Sequence, residues 1–370
     1  MLKKLKIEFV KGVTQMITKR TGLSGMLFVT AIGCMIAMSG IAFSAEKEAS
    51  YKLIKKIPVG GEGGWDYLFI DSNAKRCYVS HQSHVVVLDI AKDAVVGDIV
   101  NTPGVHGIAI AYGLNKGYIS NGGDNSVTVF DPATLKETGR IKVGERPDAI
   151  LFDPATKHIF TFNGGSKDST VIDTAKDTVL GTIALGGKPE FAASDEKGRV
   201  FVNIEDTSEI AVIDAQKLTV TSRWPLAPGQ EPSGLAIDRK NQRLFSVCSN
   251  GKMAITDYTT GKVIATPEIG QGPDAAAFDP ETGLAFSSNG RDGTLTVIKE
   301  ETPGQFKVVE TATTATTART MALDPATHRI YLSTAKPKAP APGEAPAQGR
   351  RRSFEPNSFE VLIVGPSPAQ

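Results

Sequence analysis

Signatures of the common chemistries are missing from this chain. It contains no GxGxxG, P-loop, HExxH, CxxC or GxSxG. Dinucleotide binding, phosphate cradling, zincin chemistry and serine hydrolysis therefore have no motif support. Cysteine is scarce, at three in 370 residues, and only Cys77 and Cys248 lie beyond the first 45. The repeat described below puts those two in different blades, so a disulfide would have to cross the hub, and no disulfide framework exists. Charge of one sign is lacking too: 41 Lys and Arg stand against 40 Asp and Glu. That balance conceals an asymmetry. Residues 1–45 carry six basic residues and one acid, which leaves the remainder at −4. A mildly acidic body lacks the basic face that nucleic-acid binding requires.

The basic residues at the start (Lys3, Lys4, Lys6, Lys11, Lys19, Arg20) precede an apolar run from Met26 to Phe43, then the small residues Ala42, Ser44 and Ala45. This order is that of a secretory signal. It predicts a signal peptide over 1–45, cleavage after Ser44, and a periplasmic product. The run of 18 borders on spanning length, so the alternative is an uncleaved inner-membrane anchor facing the periplasm.

After residue 50 a unit of about 42 residues recurs seven times. An aromatic opens the second strand of each copy: Tyr78, Tyr118, Phe160, Phe201, Phe245, Phe286 and Tyr331. An Asp closes the third strand at Asp89, Asp131, Asp173, Asp214 and Asp257, with Lys299 in the sixth slot. Short strands between Asn-Gly and Gly-Gly turns, repeated at this length, predict an all-β, seven-bladed propeller over 46–370. The last copy stops one strand short. Residues 51–57 occupy the matching repeat slot, so the seventh blade is expected to be built from both termini. A Pro/Ala-rich insertion with Arg350, Arg351 and Arg352 spans 335–357 and reads as a flexible loop or a basic arm for a protein partner.

The second-strand motif appears as Tyr78-Val79-Ser80-His81, Tyr118-Ile119-Ser120-Asn121, Phe160-Thr161-Phe162-Asn163 and Phe286-Ser287-Ser288-Asn289. It resembles the YVTN-type, YncE-like family of bacterial seven-bladed propellers over residues 51–365. The resemblance implies fold and export. It implies little about activity, and the nucleic-acid binding reported for some relatives conflicts with this chain's acidic body.

In a propeller the entrance of strand one lines the channel. Aligning the copies there gives Asp66, His106, Asp148, Glu190, Ser233, Asp274 and Arg319, with no apolar residue in the slot. A solvated turn explains such a slot, since Asp after Pro is common in turns. A polar ring at the channel mouth explains it too. Like charges about 8 Å apart repel by about 2 kcal/mol at an effective dielectric of 20. Four converging carboxylates therefore need a cation, protons, or His106 and Arg319 as partners. Three residues after each strand-two aromatic come His81, Asn121, Asn163, Ile204, Cys248, Asn289 and Thr334, at the same end, and they suggest a second ring. The loop Gly60–Gly64 lets backbone approach closely, and Trp65 offers a stacking face.

The sequence thus predicts an exported, non-enzymatic propeller that binds a small molecule or a divalent metal ion at the channel mouth. Trp65, Asp66, His106, Asp148, Glu190, Asp274, Arg319, Asn121, Asn163 and Asn289 are the expected ligand residues. His81, His106, Asp148, Glu190 and Cys248 are the expected metal ligands. Two alternatives stand beside it. One is a lactonase-like hydrolase with His106 or Glu190 as base and Arg319 as oxyanion partner. The other is a passive scaffold for proteins.

Overall fold

The computed structural model describes residues 50–338 and 353–367. The signal segment and Arg350–Arg352 lie outside the described residues. Those described form seven four-stranded antiparallel sheets and no helix. The sheets are the blades of a β-propeller. The innermost strands are Trp65–Asp71, Val105–Ala111, Pro147–Asp153, Pro189–Ser194, Pro232–Asp238, Pro273–Asp279 and Met321–Asp324.

The recurring aromatics explain the stacking. All seven are at most 2% exposed, and each is wedged between its own blade and a neighbour. Tyr78 packs on Ile108, Ile110 and Phe130 of the second blade. Phe201 packs on Trp224 and on Tyr258 of the fifth, with ring centroids 5.7 and 5.2 Å away. Full burial of each such side chain contributes about 2–3 kcal/mol.

The recurring Asp has a different task. Asp89 Oδ1 accepts hydrogen bonds from the Ala91 and Lys92 amides at 2.9 and 3.0 Å, and Asp131, Asp173, Asp214 and Asp257 cap their turns likewise. A carboxylate bonded to its own backbone two and three residues on is a compact way to turn the chain. Lys299 cannot accept such bonds. The sixth hairpin accordingly runs on, as strands Thr294–Thr302 and Gln305–Thr313, and turns at Gly304 with φ +80°.

Two bulges recur. The outermost strand of every blade carries one extra residue at the same register: Ile54, Val96, Thr138, Leu180, Thr221, Ile264 and Val309. The innermost strand of the first six blades carries another, at its entrance.

The strand Ser50–Pro58 pairs antiparallel with Glu360–Ser367 and completes the seventh blade, as the missing fourth strand predicts. Its side chains reach both neighbouring blades. Tyr51 stacks edge-on against Phe286 at 5.0 Å, Ser50 Oγ donates to Glu310 at 2.7 Å, and Lys55 meets Asp93 of the first blade at 3.3 Å. Deleting residues 46–58 should abolish the cooperative unfolding transition, because it bares a sheet edge and two blade interfaces. An unchanged melting curve would contradict closure by this strand.

Candidate functional site at the channel mouth

The entrance bulge places the site. Trp65 pairs with His81 and Leu68 with Val79, so Asp66 and Tyr67 together stand opposite Ser80. Bulges re-aim side chains, and this one turns the slot residue toward the channel axis. Buried polar groups on strand two hold it. Ser80 Oγ accepts from the Asp66 amide at 2.9 Å. Ser120 Oγ accepts from the Gly107 amide at 2.8 Å and donates to the carbonyl of Asp148 in the next blade. Ser288 Oγ donates to the Arg319 carbonyl, and Asn203 Nδ2 donates to the Ser233 carbonyl at 2.9 Å. In the first six blades the slot is strand rather than a solvated turn, whereas Arg319 precedes its strand, which begins at Met321.

Five of the six charged slot residues link across blades through Asp66, and Glu190 pairs apart from them. His106 Nδ1 lies 2.5 Å from Asp66 Oδ2 and 3.4 Å from Asp148 Oδ1. Arg319 bonds Asp274 through Nη1, approaches Asp66 Oδ1 at 3.6 Å through Nη2, and donates to the Trp65 carbonyl at 3.1 Å. Glu190 pairs with Lys188 at 2.7 Å, and Lys188 also bonds Glu205. Lys188 was not foreseen; it lies two residues before the slot residue and reaches back over it. The Ser233 hydroxyl donates to the Pro273 carbonyl at 3.5 Å.

Burial and repulsion leave this ring short of positive charge. Burial, with Asp148 adding, pushes the Glu190 carboxyl up to about 8 despite Lys188. Burial and Asp66 push Asp148 up to about 6. Burial also raises Asp274, against the pull of Arg319. For His106, burial opposes the charged form, but the Asp66 hydrogen bond and the charges of Asp148 and Asp66 outweigh it, and its proton is held more tightly than usual. Protons here do what a cation would do.

Among the described residues, Asp66, His106 and Asp148 form a group whose ligand atoms all lie within 4.8 Å of one another. Neither His81, Cys248 nor Glu190 belongs to it. His81 is 1% exposed, lies stacked on Phe359 at 4.2 Å, and has no hydrogen-bond partner at either ring nitrogen. Burial, with His84 adding, depresses it to about 4. Cys248 is fully buried in the fifth blade, and burial pushes its thiol up to about 11.

The expected second ring also needs correction. Asn121, Asn163 and Asn289 are fully buried. Their amides clamp the following hairpin: Asn121 to Ser126 and Thr128, Asn163 to Asp168 and Thr170, Asn289 to Thr294 and Thr296. The reason is radial. Strand two stands behind strand one, so its side chains face neighbouring blades rather than the axis. Trp65 is 8% exposed, and its ring packs on Phe354 and Phe359 at 4.7 and 5.3 Å, leaving little free stacking face. The close approach that Gly61 allows is to His81: with φ +81°, an added Cβ would meet its Cε1 at 2.9 Å. Above the ring, a cavity of about 970 Å³ opens between this glycine-rich loop and residues 353–359, with Asp66, His106 and Arg319 in its wall.

Sequence reasoning missed Tyr67. It shares the bulge with Asp66, and four carboxylates (Asp148, Asp66, Glu190 and Asp274) join burial in holding its phenol neutral. The signal was present: the residues after the slot are Tyr67, Gly107, Ala149, Phe191, Gly234, Ala275 and Thr320, two large rings among five small side chains.

No family model matches the chain, and no curated protein matches it. Among solved structures it is similar to Kuenenia stuttgartiensis hydrazine synthase, with TM-score 0.64 and 17% identity over 74% of this chain and 94% of that one. At that identity the likeness shows the propeller fold alone.

The raised Glu190 carboxyl gives a pH test. The unfolded chain binds this proton near 4.5 and the folded chain near 8. Its contribution to stability is complete below the lower value and is lost as pH rises through the higher one. Metal-free protein should lose about 2 kcal/mol between pH about 6.5 and about 8.5, measured by urea denaturation. Glu190→Gln should flatten that limb. An unchanged slope in the variant would show that Glu190 is not the group responsible.

Proposed function

We propose that this is an exported propeller of the YVTN type that binds a divalent cation at Asp66, His106 and Asp148, without turnover. The convergence of one imidazole nitrogen and two carboxylates within 4.8 Å carries the reading. Three protein ligands leave positions open for water or a small ligand, and the cavity above the ring has room for one. A mixed nitrogen and oxygen set suits a borderline ion such as Zn²⁺ better than Ca²⁺, which takes six to eight oxygens. The Nδ1 facing Asp66 cannot carry a proton and bind metal together, so loading expels the His106 proton and any that Asp148 retains. Affinity for Zn²⁺ should rise from pH about 6 to about 8. Asp66→Asn with Asp148→Asn should weaken it tenfold or more, about 1.4 kcal/mol. Calorimetric titration reads both, and equal heats for wild type and variant would remove the metal site.

A hydrolase is the second reading, favoured by one observation. A carboxyl near 8, as at Glu190, suits general acid–base chemistry near neutrality. Lactone hydrolysis lost in Glu190→Gln would select it.

Export belongs to the same proposal and rests on the order of residues 1–45. The mature protein should begin near Ala45 or Glu46 in the periplasm, as N-terminal sequencing would read. An intact Met1 in the membrane fraction would mean an anchor instead. The 335–357 insertion is proposed as a contact for a protein partner, on the strength of Arg350–Arg352.

A further inference from the structure

Tyr67 and Phe191 stand in the first and fourth blades, as far apart around a ring of seven as two blades can be. Their ring centroids are nevertheless 5.3 Å apart. The contact therefore crosses the channel axis. Five small residues in the same layer (Gly107, Ala149, Gly234, Ala275, Thr320) leave the two rings room to meet. Toward the entrance lies the charged ring. Toward the strand exits the channel continues as a second cavity of about 260 Å³. Phe69, Ile108, Ile110 and Leu151 line its wall beneath the two rings, and half-exposed Tyr112 stands at its rim. The two cavities share no lining residue.

We propose that this lower chamber is a separate binding site for a small apolar molecule of one or two fused rings. Its wall is mostly apolar, with the polar side chains Tyr112 and Glu196 in its lining, and Tyr67 turns its hydroxyl to the opposite side, among the carboxylates. An apolar cavity of about 150 Å³ already accepts benzene, so a volume of about 260 Å³ admits a bicyclic ligand. It is too small for a peptide segment. Aromatic and branched walls favour a planar hydrocarbon or a singly substituted ring over a sugar, nucleotide or ion. The site is independent of the cation reading, because the aromatic pair separates the two.

The test is a ligand-observed NMR titration of the protein with toluene. Saturable binding below about 1 mM, near 4 kcal/mol, is expected. Leu151→Trp, which fills the chamber, should weaken it tenfold or more. Phe69→Trp serves the same purpose should the first variant not fold. In wild type, intermolecular NOEs from toluene to the Tyr67 or Phe191 ring decide without any substitution. No saturation up to the solubility of toluene overturns the site. So does saturation without those NOEs, or with affinity unchanged in a folded chamber-filling variant.

Discussion

A blade of this propeller has two apolar faces, and only a closed ring covers both faces of every blade. Everything else depends on that constraint. It demands the seven buried aromatics, which act as spacers between sheets, and it demands that the last blade borrow its outer strand from the other end of the chain. An open ring would leave two full sheet faces in water, each worth several buried side chains at about 2–3 kcal/mol apiece. The channel, its mouth and its lower chamber exist because the ring closes.

Closure also creates an electrostatic problem. Seven strand entrances converge on one axis, and this chain places four carboxylates there. Three of them find cationic side chains close by: Arg319 for Asp274, His106 for Asp66 and Lys188 for Glu190. Burial and mutual repulsion still make Asp148 and Glu190 hold protons, although Lys188, shared with Glu205, bonds Glu190. A site that binds protons near neutrality is a site whose affinity for any competing cation is tied to pH. On the proposed reading, a bound cation and raised carboxyl pKa values would be two settings of one balance.

The architecture was legible because it repeats: a periodic aromatic, a periodic Asp and a missing last strand each have a single geometric meaning. The slot of Asp66, His106, Asp148, Glu190, Asp274 and Arg319 was legible for the same reason, and ion pairs link five of those six across blades, with Glu190 on Lys188 instead. Errors arose where two strands share an end of the sheet but not a direction. Asn121, Asn163 and Asn289 recur as faithfully as the slot residues, yet periodicity cannot tell a residue on the channel wall from one standing behind it. Their partners five and seven positions on, such as Asp168 and Thr170 for Asn163, were the clue to a hairpin clamp. Lys299 interrupts the Asp series, and the interruption corresponds to a longer hairpin. Tyr67 escaped because an odd residue in an otherwise small-residue layer is visible only once the layer is recognised.

The outermost bulge has a consequence for how the molecule meets copies of itself. Each blade ends in a strand with unpaired backbone groups, and several of these strands carry exposed aliphatic side chains, among them Ile54, Val96, Leu180 and Ile264. Those four are the extra residues of their bulges. An interrupted, twisted rim cannot align with a second rim over more than a few backbone bonds, so seven sticky edges are made poor templates for intermolecular sheet growth. The residues least engaged in the core thus govern colloidal behaviour. Losing one of them would straighten a strand and alter solubility well before it altered the fold.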